Sequence, residues 1–338
     1  MSRLVRECCT TQGADTIAGA SLPLIERFPA LASLPRVTLG SFPTPVERLN
    51  SIAPGLWIKR DDLCASPMGG NKTRALEFLL GGVRSGDCVV TVGSAGSTHA
   101  LAVVTYARRL GAKALVGRWT QVMNGAAEIV AARLASEADA APIFPSPVIA
   151  YAWAIGVRLR GARWIAAGGS TPLGVLGHVN AGLELVRQMD AGELAQPERV
   201  VVPLGTGGTA AGLSLAFAIA QRPILVVGAR VVPRVVARRR RVLGLASRTA
   251  ALIERIAGVR VPRPGASDVV VAHDQYGGAY GRETRAGREA AERLRVAANI
   301  ALDATYSAKA FALAVELAAR GPTLFWLTFD SRTLASND

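Results

Sequence analysis

Apolar residues along this chain keep two rhythms. Short runs rich in valine alternate with longer stretches in which apolar positions recur every three or four residues. The first rhythm fits buried strands, and the second fits helices with one face turned inward. Together they predict strands over 88–93, 112–117, 199–204 and 224–232, and helices over 99–110, 126–138, 178–189 and 210–220. Strand and helix take turns, which is the sequence form of βαβ units and of a mostly parallel sheet covered on both faces. The fold class read this way is α/β. A strand-like 56–59 and a helical 76–80 flank a glycine-rich turn, and a glycine and proline cluster at 168–177 predicts a loop before the helix at 178–189. Residues 1–35 carry no strong pattern, and 331–338 are expected to fray.

At 338 residues the chain is long enough for two packed units, because single cores stop growing at about 250–300 residues. Half of the residues are hydrophobic and 19% are charged, a balance that excludes a disordered chain. Two uncharged stretches, 140–157 and 200–221, are broken by Pro142, Pro145 and Pro147 and by Pro203 with its following glycines. Neither offers an unbroken apolar helix, so no membrane association is expected. The N-terminal residues lack the apolar run of a signal peptide, and the reading is a cytoplasmic protein. Cys8, Cys9, Cys64 and Cys88 have neither zinc-site spacing nor disulfide density, and His99, His178 and His273 are scattered, so no metal is expected. The net charge is +14, densest at Arg238–Arg241 with Arg230, Arg234 and Arg248 nearby. No aromatic residues interleave there, so the run reads as a solvated face or loop, with no nucleic-acid partner. A mild attraction for small anionic substrates is the other reading.

Three loops carry candidate chemistry. Lys72, in Gly69-Gly70-Asn71-Lys72-Thr73-Arg74, sits where a strand turns into a helix and is read as solvent-accessible. Such turns hold open sites in α/β sheets, and a desolvated lysine becomes a nucleophile and Schiff-base former; an exposed lysine opening a helix is the plainer alternative. Gly205-Thr206-Gly207-Gly208-Thr209 follows a strand and opens a helix. Amides freed by glycine at a helix N-terminus make an anion cradle, and the alternative is a tight structural turn. It matches neither the Walker sequence nor GxGxxG, which disfavours ATP and dinucleotides. Ser97-Thr98-His99, before the helix at 99–110, suits a carboxylate or a simple N-cap.

These blocks, taken together, resemble the 1-aminocyclopropane-1-carboxylate deaminase and D-cysteine desulfhydrase family of enzymes that use pyridoxal 5′-phosphate (PLP). The resemblance lies in Trp57-Ile58-Lys59-Arg60-Asp61-Asp62-Leu63 with the lysine block, in Gly168-Gly169-Ser170-Thr171-Pro172-Leu173-Gly174, in the glycine loop, in Tyr280, and in 302–310. It implies the tryptophan synthase β-subunit-like fold, with two three-layer α/β/α domains. Residues 1–74 and 180–338 would form the larger, cofactor-binding one, and 75–179 a smaller inserted one. It implies PLP as a Schiff base on Lys72, with Asn71 beside the ring, Gly205, Thr206, Gly207, Gly208 and Thr209 on the phosphate, and Thr328 at the pyridine nitrogen. Ser97, with the amides of Thr98 and His99, would hold the substrate carboxylate, and Tyr280 and Tyr306 would cover a small amino-acid substrate. A homodimer is also implied.

The expected reaction is D-cysteine desulfhydrase-like α,β-elimination, giving a 2-oxo acid and ammonia. Ring-opening deamination and β-replacement use the same residues. Ser307 follows Tyr306 where the deaminase branch carries a glutamate, which favours elimination. The chain departs from the family pattern at Thr98 for asparagine, at Phe329-Asp330 for two glycines, and at Leu101. Those departures leave a PLP-binding homologue with altered or lost catalysis as the rival reading.

Overall fold

A computed structural model describes residues 22–66 and 68–334; Cys8, Cys9 and the N-terminal reading lie outside them. Ten strands form two sheets. They are β1 (Val46–Arg48), β2 (Leu56–Arg60), β3 (Cys88–Ser94), β4 (Lys113–Trp119), β5 (Ile143–Phe144), β6 (Arg163–Trp164), β7 (Arg199–Leu204), β8 (Leu225–Arg230), β9 (Val269–Ala272) and β10 (Thr323–Leu327). The six-stranded sheet runs β1-β2-β10-β7-β8-β9, and the four-stranded sheet β5-β4-β3-β6. Every pairing is parallel except β1 with β2. Central strands are apolar on both faces, as helix-covered parallel strands must be: Val200, Val201, Val202, Leu324, Phe325 and Trp326 are all buried.

The helices are α1 (Pro23–Arg27), α2 (Asn71–Leu79), α3 (Thr98–Arg109), α4 (Gly125–Glu137), α5 (Pro147–Leu159), α6 (Pro172–Asp190), α7 (Gly208–Ile219), α8 (Arg239–Ala257), α9 (Arg285–Ala298) and α10 (Ser307–Ala318). Local signals start many of them. Ser97, Asn124, Ser146, Thr171 and Thr284 each accept a backbone N–H at the N-cap of α3, α4, α5, α6 and α9. Pro147 and Pro172 occupy first helical positions, where a missing N–H costs nothing. This corrects the loop expected over 168–177, because α6 already begins at Pro172 under its Thr171 cap. Of the tail expected to fray, Ser331–Leu334 form a 3₁₀ turn, with Arg332 bound to Asp330 at 2.7 Å, and 335–338 lie outside the described residues. Of the two readings of the arginine run, the solvated face is the one realised: Arg238 stands at the N-cap position of α8, Arg239–Arg241 form its first turn, and all four are exposed.

Helices α2 and α6 pack together and join the two sheets, and the domain cuts expected at 74/75 and 179/180 fall inside these two helices. Among the described residues no helix is long and apolar enough to cross a membrane, and no cluster of His, Cys, Asp and Glu could hold a metal ion.

Candidate active site

Parallel sheets open their crevices at the carboxyl ends of the strands, and the segments following β3, β4, β7, β8 and β10 meet in one cavity of about 900 Å³. Asn71, Lys72, Ser97, Thr98, His99, Gly205, Thr206, Gly207, Gly208, Thr209, Tyr280, Tyr306 and Thr328 all line it. Residues far apart in sequence thus share one wall.

The chain has four lysines, and their surroundings separate them. Lys59 is fully buried, with Nζ 2.6 Å from the Glu184 carboxylate. Lys113 is exposed on β4, and Lys309 donates to the Tyr276 carbonyl at 3.0 Å outside the cavity. Lys72 alone lines the cavity. It is half-buried in the first turn of α2. Burial lowers its pKa to about 8 against the opposing charge of Asp303, so roughly a tenth of the amine is neutral at pH 7. Capture of an aldehyde by the cofactor-free protein should therefore accelerate about tenfold per pH unit up to about pH 8 and then level off. Stopped-flow absorbance checks this; a rise continuing past pH 10 would mean an ordinary exposed lysine.

The turn before Lys72 is fixed on both sides. Gly70 takes φ +122°, and a Cβ there would lie 2.4 Å from the Thr328 carbonyl oxygen, so the backbone approaches β10 as only glycine allows. The Asn71 amide N–H then donates to that carbonyl at 3.0 Å. Two residues on, buried Arg74 bonds Asp61 at 2.7 Å and Glu184 of α6 at 2.8 Å. Burial would raise the Glu184 carboxyl, but the charges of Arg74 and Lys59 overcome it and hold it at about 2. This ion network anchors the helix that carries Lys72.

The glycine loop fits a phosphate. Helix α7 is twelve residues long and has no side-chain cap; its N-cap, Gly207, is left-handed at φ +94°. No acidic residue stands in its first turn, so its free amides keep their pull on an anion. Thr206 Oγ1 bonds Ser170 Oγ at 2.6 Å, and Thr209 Oγ1 accepts from Asn71 Nδ2 at 2.7 Å. Since Asn71 Oδ1 also accepts from Lys72 Nζ at 3.0 Å, one asparagine links the lysine to the anion cradle. These residues suit PLP: an amine of lowered pKa, an uncapped helix N-terminus, and a hydrogen bond chain between them. Replacing Gly207 with Val should weaken PLP binding at least about 100-fold, because a β-branched residue strains the left-handed backbone and fills the cradle. Fluorescence titration measures this, and unchanged affinity would remove the loop from the site.

In the same cavity the hydroxyls of Tyr280 and Tyr306 hydrogen-bond each other, their rings meeting edge-on with centroids 5.8 Å apart. Burial raises both phenols, that of Tyr306 well above its usual value, so both stay protonated at neutral pH. Burial and the nearby Lys72 charge lower His99 and His178 to about 3, which keeps both imidazoles neutral.

Ser97 Oγ accepts from the Ala100 amide at 3.3 Å as the α3 cap, so the plainer reading of that hydroxyl is realised. The departures from the family pattern are accommodated: Phe329 packs into the apolar cluster of Leu39, Leu76 and Leu101 while lining the cavity, and Asp330 is paired with Arg332. Ser307 is fully buried at the start of α10, directly after the cavity-lining Tyr306. Sequence reasoning passed over Asp303, whose carboxylate accepts from the amides of Tyr306 at 2.7 Å and Ser307 at 3.0 Å and also faces Lys72. Its spacing, three residues before Tyr306, was the available signal. It also passed over Trp119, Tyr151, Trp164 and Arg241, which line the cavity.

A doubly covered parallel sheet with a cavity-lining lysine beside a glycine anion cradle defines a PLP-enzyme architecture. Residues 37–323 match the family described as pyridoxal-phosphate dependent enzymes, and the chain belongs to that family. It is 36% identical over 322 residues to nocardicin C-9′ epimerase of Nocardia uniformis subsp. tsuyamanensis, covering 89% of this chain and 94% of that protein. To a D-cysteine desulfhydrase of Salmonella paratyphi A it is 29% identical over 298 residues, 83% of this chain and 88% of that protein. Its fold is similar to the crystal structure of an ACC deaminase homologue, with a TM-score of 0.74 and 29% identity over 92% of this chain and 95% of that one.

Proposed function

We propose that this enzyme removes the Cα proton of an amino acid held on PLP and expels a substituent from Cβ, in the manner of a D-cysteine desulfhydrase. The observation that carries the reading is that Lys72, alone of four lysines, opens onto the cavity and is bonded through Asn71 to the anion cradle. When bound, PLP supplies a ring that takes up the electron pair left at Cα. Gly205–Thr209 would hold its phosphate, Asn71 would stand beside its ring, and Thr328 would approach its nitrogen. The amides of Thr98 and His99, free at the N-terminus of α3, would orient the substrate carboxylate with Ser97.

Lys72 and the tyrosine pair have pKa values pushed in opposite directions, which divides their roles. The Lys72 amine accepts the Cα proton. Tyr280 or Tyr306 donates a proton to the departing group at Cβ, and Asp303 positions Tyr306 through its amide. The Cα–H and Cβ–X bonds break: X leaves with the Cβ–X electron pair and takes the phenol proton, the proton held by Lys72 restores the phenol, and water hydrolyses the unsaturated amine to a 2-oxo acid and ammonia. Pyruvate formation from D-cysteine should clearly exceed 2-oxobutyrate formation from 1-aminocyclopropane-1-carboxylate at matched concentration. Faster turnover of the cyclopropane substrate would replace elimination by ring opening.

A second reading, return of the proton to the opposite face of Cα, is favoured by the 36% identity to an epimerase. Recovery of the mirror-image amino acid without 2-oxo acid distinguishes it. The homodimer and the cytoplasmic location stand as proposals, and light scattering of the holoprotein tests the first.

A further inference from the structure

The cavity is larger than a cofactor and a three-carbon amino acid require. At about 900 Å³ it lies near the top of the roughly 300–1,000 Å³ that sites for drug-sized ligands occupy. The lysine, the glycine loop and the tyrosines line part of it, and a second set of residues, with no role in that chemistry, lines the rest. Trp119 ends β4, Tyr151 lies on α5, and Trp164 belongs to β6. Trp119 and Tyr151 are stacked with centroids 6.3 Å apart and planes 22° from parallel, and Tyr151 meets Trp164 at 6.0 Å. Both tryptophans are half-buried, packing one side against the small cluster of Val90, Val92, Ala154 and Ala162 while also lining the cavity, and Tyr151 is exposed. Val232, Val236 and Arg241 line the same cavity from the segment after β8 and from α8. Arg241 stands close enough to Tyr151 for its charge to act on the phenol, and no carboxylate pairs with it among the described residues.

We infer that this aromatic-lined chamber takes the side chain of an α-amino acid bearing an extended aromatic group with an anionic end, the rings stacking on it and Arg241 receiving the charge. The inference rests on the function proposed above and names its substrate class. Aromatic faces prefer offset or edge contacts with another ring, and a guanidinium without a partner is a ready bidentate donor to a carboxylate. A small polar substrate would leave both unused.

Calorimetry on the PLP-loaded protein with alanine, phenylalanine and 4-carboxyphenylalanine, each as both enantiomers, tests this. None has a leaving group at Cβ, so elimination does not interfere. In the preferred enantiomer, phenylalanine should bind about tenfold more tightly than alanine, and 4-carboxyphenylalanine about tenfold more tightly again. Arg241→Gln should erase the second step and Tyr151→Ala should reduce the first. Alanine binding as tightly as the aryl ligands, or preferences that survive both substitutions, would overturn the chamber. Exchange of the Cα proton in heavy water, followed on the same ligands, reports the proposed function separately. Tight, Arg241-dependent binding without exchange supports the chamber and sinks the Cα chemistry.

Discussion

Lys72→Ala should lose the visible absorbance of lysine-bound PLP and reduce turnover by at least about 10⁴-fold, since it removes both the covalent anchor and the proposed base. The fold should survive. Lys72 is half-buried and its Nζ bonds only Asn71 Oδ1, whereas the ion network that pins α2 belongs to Arg74. The phosphate cradle is intact in this variant, so PLP should still bind, more weakly and without the lysine-linked band. Absorbance after dialysis, circular dichroism and product formation together check this. A variant that kept the band and its turnover would move the chemistry to another group.

The second large effect is on stability. Glu184→Ala should cost about 3–5 kcal/mol, because it leaves Arg74 and Lys59 buried without their shared carboxylate. Denaturant titration of the PLP-free protein measures the loss, and PLP retention should fall with it because Arg74 fixes the helix bearing Lys72. The pH dependence has a definite sign. The folded carboxyl is held at about 2, below its ordinary value of 4.5, so its contribution is complete above pH 4.5 and disappears as the pH falls through about 2. Glu184→Gln should flatten that acid limb. A loss under about 1 kcal/mol would show that the network does not hold α2.

Much of the cofactor-binding half was legible because its signals are local. The strand at 199–204 was read to its observed ends, since Val-Val-Val bounded by a glycine loop leaves little choice of period. The anion cradle follows from the same segment, where glycines stand at a strand-to-helix turn. What depends on distant contacts was not legible. Glu184 stands 125 residues from Lys59 and 110 from Arg74, and nothing in their neighbourhoods announces a shared network. That β10 enters the sheet between β2 and β7 is likewise a matter of topology. Arg241 was read with its neighbours as solvated charge. All four arginines of the run, Arg238–Arg241, are indeed exposed, and helical geometry brings one of them, Arg241, to the rim of the cavity as well.

The most direct test of the central claim is reduction of the PLP-loaded protein with borohydride, which makes a lysine–PLP bond permanent, followed by peptide mass mapping. Only four lysines are present, so the outcome is unambiguous. The account predicts the added mass on the peptide containing Lys72 and on no other. An adduct on Lys59, Lys113 or Lys309, or none at all, would contradict it.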